Sequence, residues 1–282
     1  MQICGRHFSQ TEIDWIRRQV ESPAGWTRAE LSRMFCRKTG WYKPDGGLKE
    51  MSCRVAMLRL QKRGLIKLPA PKKTHFAAGG IKHTAEGEPK DPIDIDASRA
   101  DLVIEPVERK TTRLFNELID RYHYLGYNRM GGAQMRFFVK VGEHLAALLG
   151  FSAAAWRLAP RDGFIGWTEV QRKANLHLVV DNSRFLILPW VRSKNLASRI
   201  LSQVARTLPD FWQQRYHYRP VLLESFVEKE RFSGTCYKAA NWTCVGHTQG
   251  RGKWDRNFTC EKPVKTIWLY PLQRRFKEVL CR

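Results

Sequence analysis

The sequence predicts a mixed α/β protein (α+β) in two parts: a small helical module, then a larger domain built on a mixed β-sheet with flanking helices. Three observations carry this. Residues 9–67 contain three helical periods with recognisable caps or stops. Residues 69–100 shift to Pro, Gly, Lys and acidic residues without period, the composition of a linker. Beyond residue 101, short apolar runs and amphipathic stretches follow one another in the order βα, ββ, βα, βα, ββ.

In the module, Ser9 and Glu12 form a capping box that opens a helix reaching about Val20. Thr27 caps a second helix over residues 28–38, with Leu31, Met34 and Phe35 on one face. After the turn PDGG (44–47), a third helix covers residues 49–63, with Met51, Val55, Leu58 and Cys53 as its apolar set. Gly64 stops it, and residues 65–68 read as a short strand. Three helices and a strand at a glycine form a winged-helix layout. Its third helix would turn Lys49, Arg54, Arg59, Lys62 and Arg63 outward toward phosphates and groove edges. The expected organisation is a winged-helix DNA-binding module at 1–68, a linker at 69–100 that is acidic in its second half, and a second domain at 101–282.

In the second domain, residues 102–107 form a strand and 111–122 a helix that turns Leu114, Leu118 and Ile119 inward. Residues 134–141 and 144–155 pair as a hairpin around Gly142. An irregular segment rich in Arg and Trp precedes a strand at 185–188. The helix at 196–208 has Leu196, Ala197, Ile200, Leu201, Val204, Ala205 and Leu208 at helical spacing. A strand at 221–226, a short helix at 235–240 and strands at 243–246 and 264–270 complete the domain.

Charge narrows the function. Lys and Arg total 49 against 27 Asp and Glu, a formal net charge of +22. Residues 86–108 hold eight acids and two bases, which leaves +28 on the remainder. Such a surface attracts polyphosphates, DNA foremost. Two basic runs with aromatic rings suit phosphate contact and base stacking: Arg157, Arg161, Trp167, Arg172 and Lys173, then Arg251, Lys253 and Trp254. No apolar stretch is long enough for a membrane span, and the N-terminal residues have no signal-like apolar run. Seven cysteines without framework spacing point to reduced thiols and a cytoplasmic setting.

Residues 189–201, PWVRSKNLASRIL, have the grammar of a phosphate-binding strand–loop–helix, with Asn195 where a glycine is usual. Asn is the next best residue for a left-handed backbone. Residues 189–197 resemble the coenzyme-A loop of GNAT acyltransferases, and CYKAANW (236–242) with Gly246 resembles that family's tyrosine-bearing element. In both places Asn, at 195 and 241, replaces the family's glycine. The resemblance implies an acetyl-CoA site at Val191, Arg192, Asn195, Leu196, Ala197 and Asn241. It also implies Tyr237 as acid and Glu224 or His123 as base.

A closer resemblance rests on YHYLGY (122–127), FSAAAWRLAPRD (151–162), RFLILPWV (184–191), NLASRIL (195–201), RPVLLESFV (219–227) and GTCYKAANW (234–242). Together these look like the DruA family, named for the Druantia anti-phage system and related to domains that accompany insertion-sequence transposases. It implies a role in antiviral defence or a mobile element, alongside other defence-system proteins. Residues 101–282 are then a GNAT-like DruA domain.

The carboxylates Asp162, Glu169, Asp181, Glu224, Glu228 and Asp255 include candidates for a Mg²⁺ pair in phosphodiester cleavage. Cys236, Cys244, His247 and Cys260 contain a Cys-x-x-His step without a Cys-x-x-Cys pair, so they read as reduced cysteines rather than a zinc site. DNA binding is the leading expectation. An active coenzyme-A-dependent N-acyltransferase and a metal-dependent nuclease or transposase stand as alternatives.

Overall fold

The computed structural model describes residues 1–71, 80–96, 101–250 and 262–282. The chain divides into two compact units, Met1–Gly79 and Gly80–Arg282.

In the first unit, a hairpin of β1 (Gln2–Ile3) and β2 (Arg6–His7) precedes α1 (Gln10–Glu21), α2 (Arg28–Lys38) and α3 (Glu50–Lys62). The capping box at Ser9 forms, and Thr27 makes a second one with Glu30. Phe8 stacks on Phe35 at 5.5 Å and meets Trp41 edge-on at 5.9 Å, within a core that includes Ile16, Leu31 and Leu60.

Two expectations for this unit are corrected. α3 buries Cys53, Ala56, Met57 and Leu60, while Met51, Val55 and Leu58 are exposed. Both sets have helical spacing, but the buried set contains the small Cys53 and Ala56, which let neighbouring backbones approach closely. Residues 65–68 form no strand, so the expected wing is not formed there. Their polar backbone groups are engaged elsewhere. Leu65 O accepts from Arg17 Nε at 2.7 Å, and Leu68 N donates to Gln61 Oε1 at 2.8 Å.

In the second unit, β3 (Ile93–Asp94) comes first, followed by β4 (Leu102–Pro106), α4 (Thr112–Tyr122), β5 (Met135–Val141) and β6 (His144–Ala153). The Arg- and Trp-rich segment read as irregular holds two short helices, α5 (Ala159–Ile165) and α6 (Glu169–Asn175). Then come β7 (Val179–Ile187), β8 (Val191–Arg192), α7 (Leu196–Tyr216), β9 (Leu222–Glu228), α8 (Thr235–Ala239), β10 (Thr243–His247), β11 (Lys265–Pro271) and α9 (Phe276–Leu280). Residues 80–96, read from sequence as linker, pack within this unit. Thr84 donates through N and Oγ1 to the Glu117 carboxylate at 2.6 and 2.8 Å, and β3 pairs in parallel with β8.

The result is the mixed sheet with flanking helices that the sequence predicts, seven strands in the order β10-β11-β9-β7-β6-β5-β4. Adjacent strands are antiparallel except β7 and β9, which run parallel. One core joins α4 and α7 to β5 and β6, and a second gathers Ile165, Leu222, Ile267, Leu269 and Phe276. Among the described residues, no helix is long and apolar enough to cross a membrane.

Candidate functional site

The parallel pair creates the site. β7 and β9 are in register from Val179↔Leu222 to Asn182↔Ser225, and beyond that point they part. Carboxyl ends of parallel strands are where open α/β sheets leave a ligand crevice. Here a cleft of about 730 Å³ opens, bordered by the end of α4, β7, the residues leading into α8, and Lys265 of β11. β7 is bulged within it. Arg184 opposes Gly150 and Asn182 opposes Phe151, so Ser183 is an extra residue on β7. A bulge re-aims the side chains that follow it.

One wall is a buried polar chain. Ser225 Oγ donates to Tyr237 Oη at 2.9 Å, and Tyr237 Oη donates to Asn182 Oδ1 at 3.1 Å. Asn182 Nδ2 in turn donates to Arg184 O at 3.0 Å. Burial pushes the Tyr237 phenol well up, against the pull of Ser225, so it stays protonated at neutral pH. α8 is set by Gly234 at φ +73°, whose absent Cβ would lie 2.6 Å from the Trp268 ring.

The opposite wall contributes one carboxylate, Asp181. Asp181 and Glu224 are register partners on β7 and β9. Glu224 is fully buried, with Oε2 2.8 Å from Arg161 Nη1 and Oε1 accepting from Ala155 N at 2.8 Å. Arg161, also fully buried, bonds Asp162 Oδ1 and Ala155 O and lies over the Trp167 ring. Asp181 lines the cleft, and among the described residues its Oδ1 meets no donor. Burial pushes its carboxyl well up, the Glu224 charge adds to this, and Arg184, Lys265 and a hydrogen bond with the Ser152 side chain act against it.

The residues expected in catalysis separate. Tyr237 and His123 line the cleft, but Glu224 does not, because its carboxylate is held by Arg161. His123 Nδ1 accepts from Leu125 N, and burial, with the charges of Arg184 and Lys265, pushes its pKa down to about 4. It is a weak base at neutral pH. Glu224 and His123 are therefore withdrawn as bases; Asp181 is the carboxylate that faces the cleft.

At the coenzyme-loop positions, the left-handed backbone expected of both Asn residues is present, with φ +57° at Asn195 and +62° at Asn241. Asn195, Arg192 and Asn241 are exposed, and Ala197 lines the cleft. Val191 and Leu196 are buried in the core, which leaves them no free surface for a ligand. Asn195 puts a side chain where the close approach of a diphosphate usually needs a glycine. Among the described residues, no three His, Cys, Asp or Glu side chains converge as a metal site would require. Asp162, Glu169 and Glu228 are instead paired with arginines or lysines. Asp255 and Cys260 lie outside the described residues.

Of the expected nucleic-acid contacts, Arg59, Lys62 and Arg63 are exposed on α3 and at its end. Lys49 and Arg54 are half-buried, and Arg54 pairs with Glu50 at 3.0 Å. Arg157 is exposed beside Glu169. Arg161 and Arg172 are buried and are withdrawn as DNA contacts; Arg172 Nη1 donates to Trp156 O, with its guanidinium over that ring. Arg251, Lys253 and Trp254 lie outside the described residues.

Sequence reasoning missed Asn182, Ser225, Arg184 and Lys265. The available signal was polar residues in the middle of apolar strand runs, Asp181-Asn182-Ser183 in β7 and Glu224-Ser225 in β9.

Residues 59–259 match the family model described as Druantia protein DruA. No curated protein matches the sequence. Among solved structures, the chain is similar to the ribosomal-protein-S18-alanine N-acetyltransferase from Escherichia coli (10% identity, 61% of this chain and 95% of that one, TM-score 0.38). It is similar to FeeM, an N-acyl amino acid synthase from uncultured soil microbes (15%, 62% and 92%, 0.37). It is also similar to YncA, a putative acetyltransferase from Salmonella typhimurium with its cofactor acetyl-CoA (12%, 61% and 95%, 0.37).

Proposed function

The chain belongs to the DruA family, and from that premise we propose that it is a DNA-binding protein of an anti-phage defence system or mobile element. The observation that carries the reading is the charge of +22 combined with exposed cations on α3. Arg59, Lys62 and Arg63 are exposed and have no ion pair among the described residues. Their mutual repulsion is relieved by a polyanion, and each phosphate contact releases counterions. α3, at 13 residues, is about 20 Å long, enough to follow a stretch of the major groove. The exposed Met51, Val55 and Leu58 add apolar contact of the kind thymine methyl groups accept.

The test is fluorescence anisotropy of a labelled duplex between about 50 and 200 mM salt. Affinity is expected to fall steeply, and the triple variant Arg59→Ala, Lys62→Ala, Arg63→Ala to flatten the log–log slope by about 3. A slope near zero for the unmodified chain overturns the reading.

A further inference from the structure

We propose that the cleft where β7 and β9 part receives one nucleotide of a DNA strand, its base against Phe232 and Tyr124, its edge at Asp181 and its phosphate at Arg184 and Lys265. This deepens the DNA-binding reading above and rests on it.

Four features of one cavity point to the same ligand. Its volume of about 730 Å³ lies within the range of about 300–1,000 Å³ for small-ligand sites. Its lip carries exposed rings: Phe232 is 50% accessible and Tyr124 36%, with centroids 5.5 Å apart. Isolated exposed aromatics are ordinary, but Phe232, edge-to-face with a Tyr124 ring that is stacked on His123, offers a face for a base at the mouth of a cleft. The guanidinium of Arg231 lies 5.4 Å from the Tyr124 ring, which adds a cation beside the stacking surface.

The interior holds two buried polar atoms of opposite kind without partners among the described residues, the acceptor Asp181 Oδ1 and the donor Arg184 Nε. Buried polar atoms are nearly always satisfied, by protein, water or ligand, and these two face the same cleft, where one ligand can reach both. The unpartnered Oδ1 of Asp181 takes an N–H from the edge of a base, and base edges present such N–H groups. Arg184 and Lys265 both act on the Asp181 carboxyl as nearby positive charges, so an anionic group is favoured next to the base. A simple anion would leave the rings and Asp181 unused. An aliphatic amine would meet these cations unfavourably. A nucleotide uses all of them.

The experiment measures anisotropy with a labelled single strand of about 12 nucleotides, within the site sizes of single-strand binders. The same strand with one central abasic position and a matched duplex are measured beside it. Asp181→Leu, which removes the carboxyl at similar volume, and Phe232→Ala, at an exposed position, are each expected to weaken single-strand binding about tenfold. Duplex affinity should stay within about twofold of the unmodified chain, and thermal melts should show both variants folded. The abasic strand is expected to bind the unmodified chain about tenfold more weakly and to show no further loss with Phe232→Ala, because base and ring are removed from one contact. Unchanged single-strand affinity of both variants, with duplex binding intact, overturns the base pocket and leaves the DNA-binding reading standing. Additive losses for the abasic strand and Phe232→Ala also overturn it. Absence of binding to every DNA overturns both.

Discussion

Glu224 provides the sharpest test of how the second unit is built. Glu224→Ala removes the carboxylate from Arg161, a guanidinium that is itself fully buried, and takes the acceptor from Ala155 N. Breaking a buried ion pair from one side costs about 3–5 kcal/mol, since the remaining charge stays out of water. Arg161 retains Asp162 Oδ1 at 2.8 Å and Ala155 O at 2.8 Å, which places the charge term toward the lower end. The orphaned amide adds about 1 kcal/mol. The expected loss is therefore about 4 kcal/mol, a large part of the roughly 5–15 kcal/mol available to a folded domain. Urea unfolding followed by near-UV circular dichroism measures it. The double variant Arg161→Met, Glu224→Leu should recover much of the loss, because it removes both charges together. A single-variant loss below about 1 kcal/mol would refute the reasoning. It would mean that Glu224 is solvated, and would return it to candidacy as a base.

Three further outcomes follow from the same geometry. Asp181 has a raised folded pKa, so its ionisation opposes folding above the ordinary value of 3.8. Asp181→Asn should therefore raise the melting temperature at pH 8 relative to the unmodified chain and have little effect at pH 3; a larger gain at the acid end contradicts this. His123, pushed down to about 4, should show no imidazole titration by NMR between pH 8 and pH 5, and its linkage should cost stability as pH falls from 6.5 toward 4. Titration near 6.5 would count against its burial. Gly234→Ala should cost about 2 kcal/mol or more in chemical unfolding, because φ is +73° and the new Cβ meets the Trp268 ring; a neutral result would place that contact in doubt.

Much of the second unit was legible because its signals are local. The period of Leu196, Ile200, Leu201, Val204 and Leu208 marks one helix face, and the alternation around Gly142 marks a hairpin. α7 nonetheless runs past Pro209 to Tyr216, since burial of Pro209 and Trp212 holds the helix beyond the point where a proline suggests a stop. In α3, two apolar sets share one period, and only packing selects which faces inward. Arg161 and Arg172 carry the sequence signature of surface cations, yet both are buried against carboxylates, carbonyls and rings brought in from elsewhere in the chain.

What the sequence determined by itself is what depends on neighbours along the chain: helix caps at Ser9 and Thr27, the left-handed backbone at Asn195 and Asn241, the charge, and the family strings. Tertiary structure alone decided the cleft. Asp181, Tyr237 and Lys265 are far apart in sequence and meet because β7 and β9 pair in parallel for four residues and then part. Which carboxylate is shielded by a guanidinium and which faces the open space follows from that divergence, and no local pattern records it.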